Sequence, residues 1–168
     1  MSVCPVLSVP DIRLNQKCEA LDASSDISKV ILHDLVDTMH HYPGCVGLAA
    51  PQIGQMVRAI VIDTRRYRKT VPSSGLIMMI NPVIQSMSEQ KAVREGCLSV
   101  PDFTGNVARA LRISVEGMDL DAQKIRIDTE GFEAIVFQHE LDHLDGFLFL
   151  DRVHSLKTDI FRRKRFLH

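Results

Sequence analysis

No stretch of this 168-residue sequence is apolar enough to span a bilayer. A spanning helix takes about 18 consecutive apolar residues, and Leu76 to Ile80 is typical of the longest run present. The opening Met1-Ser-Val-Cys-Pro lacks a basic segment and an apolar stretch behind it, which argues against a secretory signal. The expected location is the cytoplasm, as in bacteria, or an organelle matrix. A net charge of -1 supplies no field to draw the chain to DNA or to an anionic membrane. Four cysteines (Cys4, Cys18, Cys45, Cys97) are too sparse for a disulfide framework and are expected as reduced thiols. Repeats and low-complexity segments are absent. No glutamate follows Glu140, an absence that matters below.

What is present suits a globular protein. Hydrophobic residues make up 45% and charged residues 24%, enough to build one core, so residues 1–168 are expected to form a single domain. Residues 1–24 read as irregular, with a helical turn at 11–15. Ser25 or Asp26 caps a helix to about His41, with Ile27, Val30, Ile31, Leu35 and Met39 as its apolar stripe. Pro43-Gly44 stops it. Strands are expected at 57–63 and 76–87, and at 112–117 and 124–128 as a hairpin across a polar 119–123 turn. A helix of about 132–144 follows, apolar on several sides, then a short basic helix from Ser155 to His168. Strands first and a functional helix late suggest α+β with mostly antiparallel sheet.

That late helix contains Gln138-His139-Glu140-Leu141-Asp142-His143. Residues four apart on a helix share a face at about 5–6 Å, so two imidazoles can reach one divalent ion while Glu140 handles a proton beside it. A catalytic metal usually has three protein ligands and a water. The extended pattern H-E-x-x-H-x-x-G-x-x-H fails because Phe149 stands where its last histidine would be. A downstream glutamate is excluded by its absence. The third ligand must come from upstream, and Cys97, in Glu95-Gly96-Cys97-Leu98-Ser99, is the strongest candidate, as a thiolate suits zinc or ferrous iron. Glu95 is placed to accept a hydrogen bond or pair with an arginine behind the site. In Cys45-Val46-Gly47-Leu48-Ala49-Ala50-Pro51-Gln52, small residues can wall a peptide backbone, and Gln52 offers an amide donor to a developing oxyanion. His33, His40, His41, His154 and His168 are expected at the surface.

The three segments together resemble the peptide deformylase family, marked by G-x-G-x-A-A-x-Q, E-G-C-x-S and Q-H-E-x-D-H. The second and third match fully. The first matches at Gly47, Ala49, Ala50 and Gln52 and departs at Cys45, where modest narrowing of the pocket is expected. The resemblance covers about residues 5–155. It implies an α+β fold in which antiparallel β-sheets surround a central helix carrying the HExxH motif. It implies a hydrolase that removes the formyl group from the N-formylmethionine of newly made polypeptides and releases formate. It implies Cys97, His139 and His143 as ligands of one divalent metal ion per chain, Fe2+ physiologically, with Zn2+, Ni2+ or Co2+ in preparations. It implies that a metal-activated water attacks the formyl carbon, with Glu140 as general base and acid and the Leu98 N–H and Gln52 side chain holding the oxyanion. By the same resemblance Val46, Gly47, Phe132, Ile135 and Val136 are expected to line the methionine pocket, and Arg109 to contact substrate backbone or Glu95. The basic tail is an expected ribosome contact.

Two other readings of the residues stay open at this point. One is a metal-dependent endopeptidase, weakened by the missing downstream ligand. The other is a non-catalytic metal-binding or ribosome-associated protein, against which Glu140 speaks, since a structural metal site needs no base.

Overall fold

The chain's computed structural model describes residues 2–163. Helix α1 spans Asp26–His41, and the Ser25 side chain accepts from the Ser28 N–H at its start, satisfying an otherwise orphaned donor. Its buried face is Ile31, Leu32, Leu35 and Met39 with Ser28 and Thr38. Ile27 and Val30, expected in that stripe, are 66% and 54% exposed. The helix is rotated so that its β-branched first turn faces solvent and Leu32 faces the core.

Among the described residues six strands follow: β1 (Gly47–Ala49), β2 (Ala59–Ile62), β3 (Ile77–Cys97), β4 (Val100–Met118), β5 (Lys124–Glu130) and β6 (Ile160–Arg162). They form one connected antiparallel sheet in the order β1-β2-β3-β4-β5, with β6 paired to β4. The β4–β5 hairpin and its 119–123 turn match the sequence reading. The expected strand at 76–87 is only the first half of β3. Residues 85–92 of β3 are exposed on both faces and rich in Ser, Gln, Glu and Lys, so they show neither alternation nor β-propensity. Its pairing with β4, from Ile80 opposite Met118 to Cys97 opposite Val100, holds it extended. Pro82 sits where the register shifts between Ile80 and Val83, as a missing N–H predicts.

Instead of the expected C-terminal helix, Ser155–Thr158 forms a turn and β6 adds to β4 opposite Phe103–Gly105. The edge of β4 offers unpaired backbone groups there, and satisfying them outweighs weak local helix propensity. Lys164, Arg165 and His168 of the expected helix lie outside the described residues.

Helix α2 (Gly131–Leu144) packs on β1, β2, β4 and β5. Ala134, Val136, Phe137, Leu141 and Leu144 join Ile60, Ile62, Met79, Ile113 and Val115 in one core cluster. A second cluster fills the space between α1 and the far face of β2. Gln138 ties α2 to β4, its Nε2 donating to the Ala110 carbonyl and its Oε1 accepting the Ala110 N–H, both at 2.9 Å. This two-point tie fixes the rotation of α2 just before its histidines.

Candidate metal centre

His139, Glu140 and His143 lie on α2. Their i, i+1, i+4 spacing turns all three toward the turn in which β3 ends and β4 begins. Cys97 is the last residue of β3. Cys97, His139 and His143 each bring a ligating atom to within 4.8 Å of the others. The Cys97 sulfur is 3.3 Å from Nε2 of His143. Bonds of about 2.3 Å to sulfur and 2.0–2.1 Å to nitrogen at tetrahedral angles separate those atoms by roughly 3.5 Å. The donor set and its spacing therefore fit one divalent ion.

Electrostatics prepare the donors. Burial alone would push the Cys97 thiol up, but the adjacent His143 and His139 rings overcome it and hold the thiol well below its ordinary value. A thiolate is the form that ligates metals. Nδ1 of His139 contacts Oε2 of Glu95 at 2.8 Å, which fixes the ring and leaves Nε2 for an ion. Burial disfavours the Glu95 charge, yet hydrogen bonds from His139 and Arg109 bring its carboxyl down to about 2. Burial pushes the Glu140 carboxyl up to about 7. Among the described residues its Oε2 is buried without a hydrogen-bond partner, an acceptor held ready for a proton.

Gln52 ends the strand–turn carrying β1. Its Oε1 accepts the Ala49 N–H at 3.0 Å, and its Nε2 donates to Ser99 Oγ at 3.1 Å and to Cys97 Sγ at 3.4 Å. The amide is thus locked against the ligand strand. A cavity of about 650 Å³ opens beside these groups. Val46, Gly47, Gln52, Leu98, Phe132, Ile135 and Val136 all line it, with Cys97, His139 and Glu140 at its base. Gly47 is required at its position. A Cβ there would lie 2.5 Å from Oε1 of Glu140 and 2.7 Å from Cγ1 of Val136. Cys45 lines the cavity too, but its sulfur folds back to donate to the Gly47 carbonyl at 3.1 Å. Burial pushes that thiol up to about 12, so it behaves as a small neutral wall.

Of the two contacts expected for Arg109, the structure shows the one to Glu95 and not one toward substrate. Arg109 is 5% exposed and does not border the cavity; its guanidinium pairs with Glu95 and, at 2.6 Å, with Asp142. Asp142 in turn pairs with Arg152 at 2.7 Å. The sequence reading passed over Asp142, although its place inside Q-H-E-x-D-H was a signal. It also passed over Tyr67, whose ring stacks on Phe132 at 4.3 Å between centroids. Nothing in the local sequence around Tyr67 signalled that contact, which exists only because the 64–76 loop returns to α2.

The model of the family described as Polypeptide deformylase matches residues 3–159. The chain belongs to the polypeptide deformylase family. It is 38% identical over 165 residues to the peptide deformylase of Thermodesulfovibrio yellowstonii, across 98% of this chain and 97% of that one. The crystal structure of peptide deformylase from Ehrlichia chaffeensis in complex with actinonin superposes with a TM-score of 0.85 at 33% identity, covering 94% of this chain and 92% of that one. A Met-Ala-Ser-bound class I type b peptide deformylase from Acinetobacter baumannii superposes with a TM-score of 0.84 at 31% identity, covering 90% and 100%. As a deformylase the chain is a hydrolase that removes the formyl group from newly made polypeptides. Its mixed fold, with an antiparallel sheet and two helices, is that of the solved deformylases. The described residues contain no helix long and apolar enough to cross a membrane.

Proposed function

We propose that deformylation is carried out by Glu140 beside an ion held by Cys97, His139 and His143, on peptides bound in the cavity those groups floor. The single observation that carries this reading is the convergence of the Cys97 sulfur with both α2 imidazoles below an open cavity. A divalent ion held there supplies Lewis acidity, lowering the pKa of water toward neutrality and polarising the formyl oxygen. Glu140 accepts the proton as water attacks the formyl carbon. It then donates that proton to the departing amine nitrogen, releasing formate and a free methionine terminus. A carboxyl that burial brings to about 7 suits both halves of this exchange. The Gln52 amide and the Leu98 N–H donate to the oxygen that becomes anionic. Gln52 sits 2% exposed, with its Oε1 held by the Ala49 N–H and its Nε2 by Ser99 Oγ, so the amide stays in place and exchanges only its longer contact to Cys97 Sγ for the oxyanion.

Val46, Gly47, Phe132, Ile135 and Val136 receive the methionine side chain. Their position on the cavity wall supports this, as does the tripeptide bound by the Acinetobacter baumannii enzyme. We read α2 as the central helix that the sheet surrounds, supported by its nearly complete burial. The single catalytic domain is assigned to residues 1–168, in keeping with the family match. Fe2+ is the ion proposed in the cell: thiolate and imidazole donors accept ferrous iron, and availability rather than raw affinity, which favours zinc, selects the ion in such a site. We place the enzyme in the cytoplasm, where formylated chains emerge from ribosomes, with the basic tail as the ribosome contact.

Metal analysis joined to a formyl-Met-Ala assay on anaerobically prepared protein tests this reading. One ion per chain and formate release are expected. Cleavage of a blocked internal peptide with no formate release overturns it. Glu140→Gln is expected to retain the ion and lose about 10²–10⁴ in turnover; unchanged turnover removes Glu140 from its role.

A further inference from the structure

Outside its apolar floor, the cavity is bordered by three arginines and no exposed acid. Arg68, Arg94 and Arg163 all line it, and none is paired with a carboxylate among the described residues. The carboxylates of the same cavity, Glu95 and Glu140, are buried at its base and 6% and 3% exposed. Positive charge therefore belongs to the mouth, and negative charge to the catalytic floor.

Two of these arginines are held in place. Arg94, on the exposed half of β3, donates to Asn106 Oδ1 at 2.8 Å and to Thr104 Oγ1 at 3.3 Å, and its guanidinium lies 3.5 Å from the centroid of the Phe161 ring. Phe161 belongs to β6. Arg163 directly follows β6, and its backbone N–H donates to the Asp102 carbonyl at 2.8 Å. That tie brings its guanidinium down onto Gly96, so closely that a Cβ on Gly96 would collide with it. Gly96 is the neighbour of the ligand Cys97. A peptide whose formyl carbon lies beside Glu140 and whose methionine is in the Val46–Phe132 pocket can continue along the wall where Arg94, Gly96, Thr104 and Arg163 border the same cavity.

We propose that Arg94 and Arg163 form a cationic rim that selects formyl-methionyl chains carrying an acidic side chain at the second or third residue. This rests on the deformylase reading of the same site. Lysine or arginine at those positions meets like charge, and glutamate or aspartate meets two guanidinium groups that prefer carboxylates. β6 thereby has a function: it delivers Arg163 and supports Arg94 from below through Phe161.

The test is kcat/KM for formyl-Met-Ala-Glu, formyl-Met-Ala-Gln and formyl-Met-Ala-Lys, and for the matching set varied at the second residue. All peptides are C-terminal amides, so that the side chain is the only variable charge. The glutamate peptide is expected to exceed the lysine peptide roughly fivefold or more at low salt, the scale of one or two exposed ion pairs. The ratio should shrink as salt rises. In Arg94→Gln/Arg163→Gln it should fall toward one, while Arg163→Lys, which keeps the charge, should retain most of it. Equal rates across both sets, or a ratio unmoved in the double variant, overturn the proposal and leave deformylation itself standing. Absence of formate release from every peptide instead refutes the reading on which it rests.

Discussion

Arg109 grips Glu95 with two parallel hydrogen bonds, Nε to Oε1 at 2.6 Å and the second nitrogen to Oε2 at 3.0 Å, though the two residues lie on different strands and both are almost fully buried. Glu95 also takes Nδ1 of His139. The pair therefore sits behind Cys97, His139 and His143, the proposed metal ligands, and orients His139.

Removing one partner of a buried pair strands the other charge. Arg109→Met should lower the folding free energy by about 3–5 kcal/mol, read from urea denaturation. It should also weaken metal affinity by about 10–100-fold, read by competition with a chelator. Arg109→Lys keeps the charge but not the fork and should fall between. A loss below about 1 kcal/mol, the range of an exposed pair, contradicts this assignment.

Gly47→Ala puts a methyl group against Glu140 and Val136, where no free volume exists. Glu140 has to move to admit it. Displacing a reacting group by about 1 Å costs on the order of 10²-fold in rate. The variant is expected to fold and bind its ion normally, because Cys97, His139 and His143 approach from other elements. Circular dichroism and metal content should match the parent while kcat/KM drops. Full activity would show that the glycine is not needed for the base.

Glu133 ties a surface loop to the site. It is 2% exposed and accepts from the Ser74 N–H at 2.8 Å, Ser74 Oγ at 2.7 Å, Thr64 Oγ1 at 3.3 Å and Thr129 Oγ1 at 2.8 Å. Glu133→Ala leaves these donors without their acceptor, and about 1–3 kcal/mol of stability should be lost. The same loop presents Tyr67 to Phe132, so KM for formyl-Met peptides should rise more than kcat falls. An unchanged KM would separate the loop from substrate binding.

Cys18 is 4% exposed, and burial pushes its thiol up to about 11 from 9.0. The folded chain thus binds a proton that the unfolded chain releases between about pH 9 and 11. Stability is complete below pH 9 and falls as pH rises through that window. The loss is on the order of 2 kcal/mol. Denaturation midpoints at pH 8 and pH 11 for the parent and Cys18→Ala measure it; the variant should lose less. Equal losses would assign the effect to other groups.

Chemistry was more legible than architecture. His139, Glu140 and His143 declare themselves by helical spacing, and the exclusion of Phe149 and of any later glutamate points back to Cys97. The β4–β5 hairpin is legible for the same reason, since its alternation and its turn are local. The middle of β3 is not, because residues 85–92 are exposed on both faces and carry no period, and neither is the outer half of β4, whose few buried positions are separated by exposed ones. They are extended only because each supplies the other's backbone partners.

What the amino-acid order determined alone is which groups can ligate, which can move a proton, and where helices and turns begin, because these depend on residue type and short spacing. Tertiary structure decided the remainder. It turned Arg109 inward to hold Glu95, made a strand of 160–162 by offering it the edge of β4, and rotated α1 to bury Leu32. Backbone pairing, a buried ion pair and packing of an apolar face, each set by residues distant in sequence, outweighed the local preference.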